Sequence, residues 1–305
     1  MKRYDSEQIK EFISKPLFCE STLLNRDSQY PKISVVTPSF NQGHFLERTI
    51  LSVLNQNYPN LEYIIMDGGS TDESIQIIKK YEKFLSYWVS ERDRGHADGI
   101  NKGFARASGE ILAWLNSDDL YLPNALHQVA SALGPDRSIQ VLYGNLYRID
   151  ADDRILEEKR LTPFSGLGYL YGGCDLAQPS TFWRREIFSA VGGLKEEIAF
   201  SMDTDLFFRF VLARARFRFL REFLACFRLH PSSKTSRLQE VSKSDNVKIR
   251  RTYLKYSYGS IPARLIRTSV RMKRVFWYAL QGDTDWVFKR ACKRLREKVS
   301  QGAVP

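Results

Sequence analysis

The sequence predicts an α/β protein with a mostly parallel central sheet, helices on both faces and a basic helical appendage. Three observations predict it. Strand-like and helix-like segments alternate four times between Ile33 and Asn116, the pattern of a parallel sheet covered on both faces. Each of those strands ends in a polar stretch (TPSFN, MDGGSTD, SERDRG and LNSDD). Finally, residues 246–305 hold 15 Lys and Arg against 3 Asp and Glu, whereas the first 245 hold 31 basic and 32 acidic side chains. The whole basic excess belongs to the C-terminal part, which points to a separate job for it.

The elements follow in order. Residues 1–31 are a mixed polar lead-in. KISVVTP reads as a buried strand, Ile33 to Thr37, stopped by Pro38. HFLERTILSVLNQ carries Phe45, Leu46, Ile50, Val53 and Leu54 at helical spacing, and NYPN breaks it. LEYIIMD is a second strand, and Thr71 or Asp72 is placed to cap the helix in ESIQIIKKYEKF. YWVSE is a short strand, ADGINKGFARASG a helix ending near Gly109, and Ile111 to Asn116 a fourth strand before a helix started by Pro123. VLYGNLYRID and RILEEKR read as a hairpin, LAQPSTFWRREIF as the lead into a helix, and AFSMDTDLFFRFVLAR as a longer helix. FRFLREFLACFRLH reads as one or two strands ending at His230.

Composition sets the outer limits. With 305 residues, 43% hydrophobic and 27% charged, the chain suits one large domain, or one domain with an appendage, around a sizeable core. No window is apolar enough for a membrane span, and MKRYDSEQIKEF lacks the apolar segment of a secretory signal. Cys19, Cys174, Cys226 and Cys292 lack metal-ligand spacing, which argues against zinc and a disulfide framework and suits a reducing cytoplasm. No GxGxxG follows the first strand, and no GxxxxGK[ST] occurs. These absences weaken a dehydrogenase reading and remove a P-loop.

In parallel α/β sheets the carboxyl ends of the strands form the ligand crevice. Two adjacent carboxylates there, Asp118 and Asp119, repel one another unless a cation sits between them and a ligand. Mg²⁺ suits such a place, because it takes one or two carboxylates and completes its shell with phosphate and water. Asp67 can accept from a nucleobase N–H or build an Asx turn, and Asp93 has the same two readings. Lys102 and Arg94 are candidate phosphate partners. Asp203 and Asp205, two apart at a helix start, cannot point the same way; one can cap the helix while the other faces the crevice as a general base. His230 is a candidate metal ligand or phosphate donor, whereas His44 and His96 receive no role.

PSFNQGHFLERTILSVLNQNYPNLEYIIMDGGSTD resembles the N-terminal signature of family 2 glycosyltransferases with the GT-A fold, a Rossmann-like sheet. SERDRGHADGINKGFARASGEILAWLNSDD, QPSTFWRREIF and MDTDLFFRF resemble their metal-motif, acceptor-side and base segments. The match runs from Lys32 to about Ser236, in order. The resemblance implies an inverting transfer from a nucleotide-diphosphate sugar, with a UDP-sugar favoured, to a glycan or lipid-linked hydroxyl in surface-polysaccharide synthesis. It implies nucleotide contacts at Pro38, Ser39, Asp67, Asp93, Lys102, Asn116 and Ser117. It implies a Mn²⁺ or Mg²⁺ site at Asp118, Asp119 and His230, and a base at Asp203, with Asp205 as the alternative. The pattern departs at Gly68, where a second Asp is common, and at Met202, where Glu is common. Trp183 is open to stacking on a sugar or to packing in the core.

The expected organisation is a lead-in at 1–31, a catalytic domain at 32–240 and a basic amphipathic tail at 241–305. The catalytic domain divides into a nucleotide half at 32–120 and an acceptor half at 121–240. RLIRTSVRMKR and WVFKRACKRLREK suit an anionic membrane surface or basic outer faces of packed helices, so the expected location is cytoplasmic or peripheral on the inner membrane face. No nucleic-acid module is recognisable. A catalytically silent nucleotide- or sugar-binding protein and a nucleotidyltransferase are the competing readings.

Overall fold

Residues 1–31, expected only as a polar lead-in, form two short helices in the computed structural model, which describes residues 1–172, 175–288 and 292. Helix α1 (Ser6–Ser14) starts at a capping box in which Asp5 accepts from the Gln8 amide and the Gln8 side chain accepts from the Asp5 amide. Its Ile9 and Ile13 are buried with Leu120, Leu122, Tyr147, Ile149 and Phe223. Helix α2 (Glu20–Leu24) follows. DSEQ was a readable start signal within that polar run.

The next stretch folds as its periodicity predicts. Strands β1 (Ile33–Ser39), β2 (Leu61–Asp67), β3 (Tyr87–Ser90) and β4 (Ile111–Trp114) alternate with helices α3 (Gly43–Leu54), α4 (Ser74–Tyr81) and α5 (His96–Arg106). The strands lie parallel in the order β3-β2-β1-β4. Pro38 does not stop β1. Val36 O accepts from Leu115 N across the β4 side, and residues two apart point the same way. The N–H that Pro38 lacks would therefore face the side on which β4 has already ended, and its absence breaks no ladder bond. Asp72 accepts from the amides of Ser74 and Gly43, so one carboxylate serves the starts of both α4 and α3.

The second half builds outward from β4. A short β5 (Leu120–Tyr121) precedes α6 (Ala125–Leu133), which begins two residues after Pro123 because Asn124 takes a left-handed conformation, φ 65°. The expected hairpin is present as β6 (Val141–Ile149) and β7 (Ile155–Lys159). Helix α7 (Gly166–Tyr171) comes next. QPSTFWRREIF does not pass straight into a helix. Thr181 to Arg184 form β8, antiparallel to β4, and α8 (Arg185–Ala190) follows. Helix α9 (Met202–Leu212) leads to the long β9 (Phe217–Arg228), and α10 (Lys234–Arg237), α11 (Gln239–Tyr253) and α12 (Ile261–Leu280) complete the described elements. Among the described residues the sheet has nine strands, ordered β3-β2-β1-β4-β8-β6-β9-β5 with β7 beside β6.

Trp183 belongs to the core. It is fully buried and packs against Phe104, Trp114, Phe188, Phe207 and Phe210, so it offers no face to a sugar. The chain divides into two units, residues 1–161 with 176–253 and residues 162–175 with 254–305. The first holds the sheet and α11, whose Asp245 accepts from the amides of Phe200 and Ser201 ahead of α9. In the second, α12 packs on α7 closely enough that a Cβ on Gly168 would meet Val270 at 2.8 Å. Cys174 and most of WVFKRACKRLREK lie outside the described residues.

Candidate active site

Register brings the polar strand ends to one edge. Ser39 pairs with Asp67, and Asp67 pairs with Ser90, at the carboxyl ends of β1, β2 and β3. Asp67 is buried, and its two oxygens accept from the amides of Gly69 and Ser70 and from the hydroxyls of Ser70 and Ser90, at 2.5 to 3.1 Å. A carboxylate offers about four lone-pair sites. Asp67 therefore builds the turn, which also needs the left-handed φ of Gly69, 85°. Ser39 Oγ is buried without a hydrogen-bond partner among the described residues. Asp93 Oδ1 accepts from Gly95 N at 2.9 Å, and its Oδ2 lies over two glycines. A Cβ at Gly68 would come 2.9 Å from that oxygen, and one at Gly99 3.1 Å. Gly68 leaves room for the Asp93 carboxylate where a second aspartate would crowd it.

Lys102 and Arg94 are tied to protein carboxylates. Both reach the buried Asp98, Lys102 at 3.2 Å and Arg94 at 2.8 Å, and Arg94 also reaches Glu196. Burial alone would raise the Asp98 pKa, but these partners hold it down to about 2. Each cation lies four residues from Asp98 in the chain, Arg94 ahead of α5 and Lys102 within it, so both are paired with a protein carboxylate in this structure.

The acid pair is held by three elements. Thr49 of α3 donates to the carbonyls of Ser117 and Asp119, so Ser117 contributes its backbone to the turn. Asp119 is buried, with Oδ1 accepting from Arg228 N and Oδ2 from Asn116 Nδ2. Burial, then the charge of Asp118, raises its pKa well above the ordinary value. Arg228, at the end of β9 and only 1% exposed, donates through Nε to Asp118 O at 2.7 Å. Its Nη1 lies 2.6 Å from Asp153 and 3.0 Å from Asp150 O, in the β6–β7 turn. Arg48 contacts the other Asp153 oxygen at 2.6 Å. Asp118 is left turned outward, its Oδ2 3.1 Å from His230 Nε2, and the other imidazole nitrogen lies 2.8 Å from Ser232 Oγ.

Asp203 and Asp205 have parted as helical spacing requires. Asp205 is buried beneath Arg209 at 2.7 Å and accepts from the Tyr253 hydroxyl at 2.8 Å. Asp203 lines a cleft of about 290 Å³, its Oδ1 accepting from Thr204 N. Neither aspartate bonds across the helix start as a cap. Burial raises the Asp203 pKa against the opposing Thr204 bonds. The same cleft is lined by Asn116, His96, Gln178, Arg148, Lys159 and Lys234. Burial, then the charge of Lys234, lowers His96 to about 3, so its imidazole is neutral near pH 7. Desolvation lowers Lys234, opposed by the charges of Asp93 and Asp118. Asn116 joins the two parts of the site, because it lines the cleft and donates to Asp119.

His96 and Lys234 line the cleft and Arg228 holds the acid pair, three placements that sequence reasoning passed over. His96 opens a helix behind a glycine at a strand end, and Lys234 follows His230 by four residues, so both carried a positional signal. Arg228 carried none, since a buried arginine and an exposed one look alike at the end of a strand.

The chain has known relatives. The model of the family described as "Glycosyl transferase family 2" matches residues 34–192, more than half of the chain. This chain belongs to glycosyltransferase family 2. The match makes it a glycosyltransferase and sets aside the dehydrogenase and nucleotidyltransferase readings. An uncharacterised glycosyltransferase of Mycobacterium tuberculosis (strain H37Rv) is 32% identical over 185 residues, 60% of this chain and 70% of the relative. Another from Rickettsia typhi is 28% identical over 225 residues, 70% of this chain and 69% of that one. Among solved structures, S. aureus TarS 1-349 in complex with UDP-GlcNAc superposes with a TM-score of 0.59 at 18% identity, covering 78% of this glycosyltransferase and 71% of that chain. The mannosyltransferase PcManGT from Pyrobaculum calidifontis, in complex with GDP-Man and Mn²⁺, gives 0.54 at 15% identity, covering 96% and 94%. At these identities the likeness establishes the GT-A-like fold of the glycosyltransferase.

Proposed function

We propose that this glycosyltransferase is an inverting, metal-dependent enzyme using a nucleotide-diphosphate sugar, with UDP favoured. It transfers the sugar to a hydroxyl of a glycan or lipid-linked saccharide in polysaccharide synthesis, on the cytoplasmic side of the membrane. The observation that carries this reading is the separation of the two aspartates. Asp203 presents a carboxylate of raised pKa to the cleft, whereas Asp205 is spent on Arg209 and Tyr253. A base within reach of the acceptor hydroxyl, opposite an anionic leaving group, is what single-displacement transfer requires.

The residues present fit a divalent cation. Asp118 and His230 offer one oxygen and one nitrogen side by side, and Asp119 stays buried behind them on Arg228 N and Asn116. No group of three His, Cys, Asp or Glu able to cage an ion occurs among the described residues. A Mg²⁺ or Mn²⁺ site that shares its ion with a diphosphate needs fewer protein ligands than a cage. A bound ion there would neutralise charge on the departing diphosphate. Lys234 would add a positive charge on the same side, with neutral His96 as a hydrogen-bonding wall of the cleft. Asp93 and Ser39 would line the nucleoside at the strand ends. Asp203 takes the acceptor proton as the hydroxyl oxygen attacks the anomeric carbon.

The reading is tested by nucleotide release from a panel of UDP-, GDP- and dTDP-sugars with Mn²⁺, Mg²⁺ or EDTA. Release from one nucleotide class, abolished by EDTA, is expected. Undiminished release in EDTA would remove the metal from the mechanism.

A further inference from the structure

Helix α12 has two apolar faces, and its own unit covers one. At about 3.6 residues per turn, the buried Ala263, Val270 and Tyr278 fall on one side of the helix. Ile261, Leu265, Met272, Val275, Phe276 and Leu280 fall on the opposite side, each 58% to 72% exposed. This second stripe runs the length of the helix. Isolated exposed apolar residues are ordinary, but six large ones on one helix face, interrupted at Thr268 and Ser269, mark a binding surface.

Charge identifies the occupant. Arg264 and Arg271 lie exposed along one margin of the stripe and Lys273 along the other. Arg267 stays outside the stripe, donating to Tyr258 O at 2.6 Å with its guanidinium 4.2 Å from the Tyr258 ring. A second copy of the chain docked face to face would set these cationic margins against one another. A bilayer with anionic headgroups takes up both features, the stripe among acyl chains and the margins against phosphates. No helix among the described residues is long and apolar enough to cross a membrane, so such contact would lie in the plane of the surface.

We propose that the exposed face of α12 binds anionic phospholipid bilayers. The inference does not rest on the catalytic reading, because binding is measured without donor or acceptor. The test is flotation of the full chain with vesicles of phosphatidylcholine alone or mixed with phosphatidylglycerol. Two variants accompany it, Leu265→Glu with Phe276→Glu, and Arg264→Gln with Arg271→Gln and Lys273→Gln. All five positions are exposed, so circular dichroism should show the fold unchanged. The wild type should float with the phosphatidylglycerol vesicles and much less with phosphatidylcholine. The glutamate variant should lose flotation on both. The glutamine variant should lose the anionic preference, with binding down on the order of a hundredfold at roughly fivefold per basic residue. Equal flotation of wild type and glutamate variant would overturn the proposal, as would no flotation of the wild type. A concentration-dependent dimer in sedimentation velocity, without flotation and abolished by the glutamate variant, would give the face to a second copy instead.

Discussion

Asp203→Asn should lower turnover by about 10²–10⁴-fold, the usual contribution of a general base, while donor binding persists. The substitution keeps the shape and the acceptor oxygen that Thr204 N bonds, and removes only the basic function. Two further readouts separate this role from a structural one. Active enzyme needs ionised Asp203, and burial raises its pKa, so kcat/KM should fall with acidification through a midpoint above the ordinary aspartate value of about 3.9. The sign for stability is opposite to that of a salt-bridged aspartate. A carboxyl whose folded pKa is raised stabilises the fold below its unfolded pKa and loses that contribution as pH rises through the folded value. Near pH 7 the wild type therefore carries a destabilising ionised Asp203, and Asp203→Asn should raise Tm as it removes activity, the trade expected at a strained site. Asp205→Asn should do the reverse, losing stability with the weakened Arg209 pair. A loss of rate in folded Asp205→Asn equal to that in Asp203→Asn would move the base.

Arg228→Met should destabilise the protein by about 3 kcal/mol, the low end for breaking a buried ion pair, because Arg48 still contacts Asp153. The guanidinium spans Asp118 O, Asp150 O and Asp153 and lies 4.8 Å from the Phe45 ring, so one substitution loosens the acid pair and the β6–β7 turn together. Arg228→Lys keeps the charge without the planar fork and should lose less stability, yet still weaken nucleotide binding, because an ammonium cannot hold those acceptors in one geometry. Urea unfolding gives the first quantity and nucleotide titration of the folded variant gives the second. Wild-type nucleotide affinity in stable Arg228→Lys would limit the residue to a packing role.

The parallel half of the fold was legible because its signals are local. Apolar runs, helical spacing and breakers lie within each segment, and four polar strand ends announced the edge that carries the candidate site. Errors arose where distant chain decides the outcome. Pro38 continues β1 because β4 ends first. TFWR is a strand because β4 and β6 accept it as a neighbour. The acids and their expected roles came from adjacency and resemblance, but the neighbours that hold each one did not. Asp67 is filled by its own turn, and Lys102 is claimed by Asp98, an aspartate no motif singled out. Asp203 and Asp205 differ only in what α8–α9 and α11 place around them. Arg228 became visible only when β9 brought it beside Asp119, 109 residues away in the chain.

In the proposed reaction Asp118, turned out beside His230, holds a cation that binds the donor's diphosphate. Calorimetric titration with UDP and GDP, with and without Mn²⁺, on wild type and Asp118→Ala tests it directly. Asp118 is the partly exposed member of the pair, so its removal leaves the buried Asp119–Arg228 contact in place. Binding of one nucleotide should depend on Mn²⁺ and disappear in Asp118→Ala. Nucleotide binding of equal strength with and without metal, retained in Asp118→Ala, would contradict it.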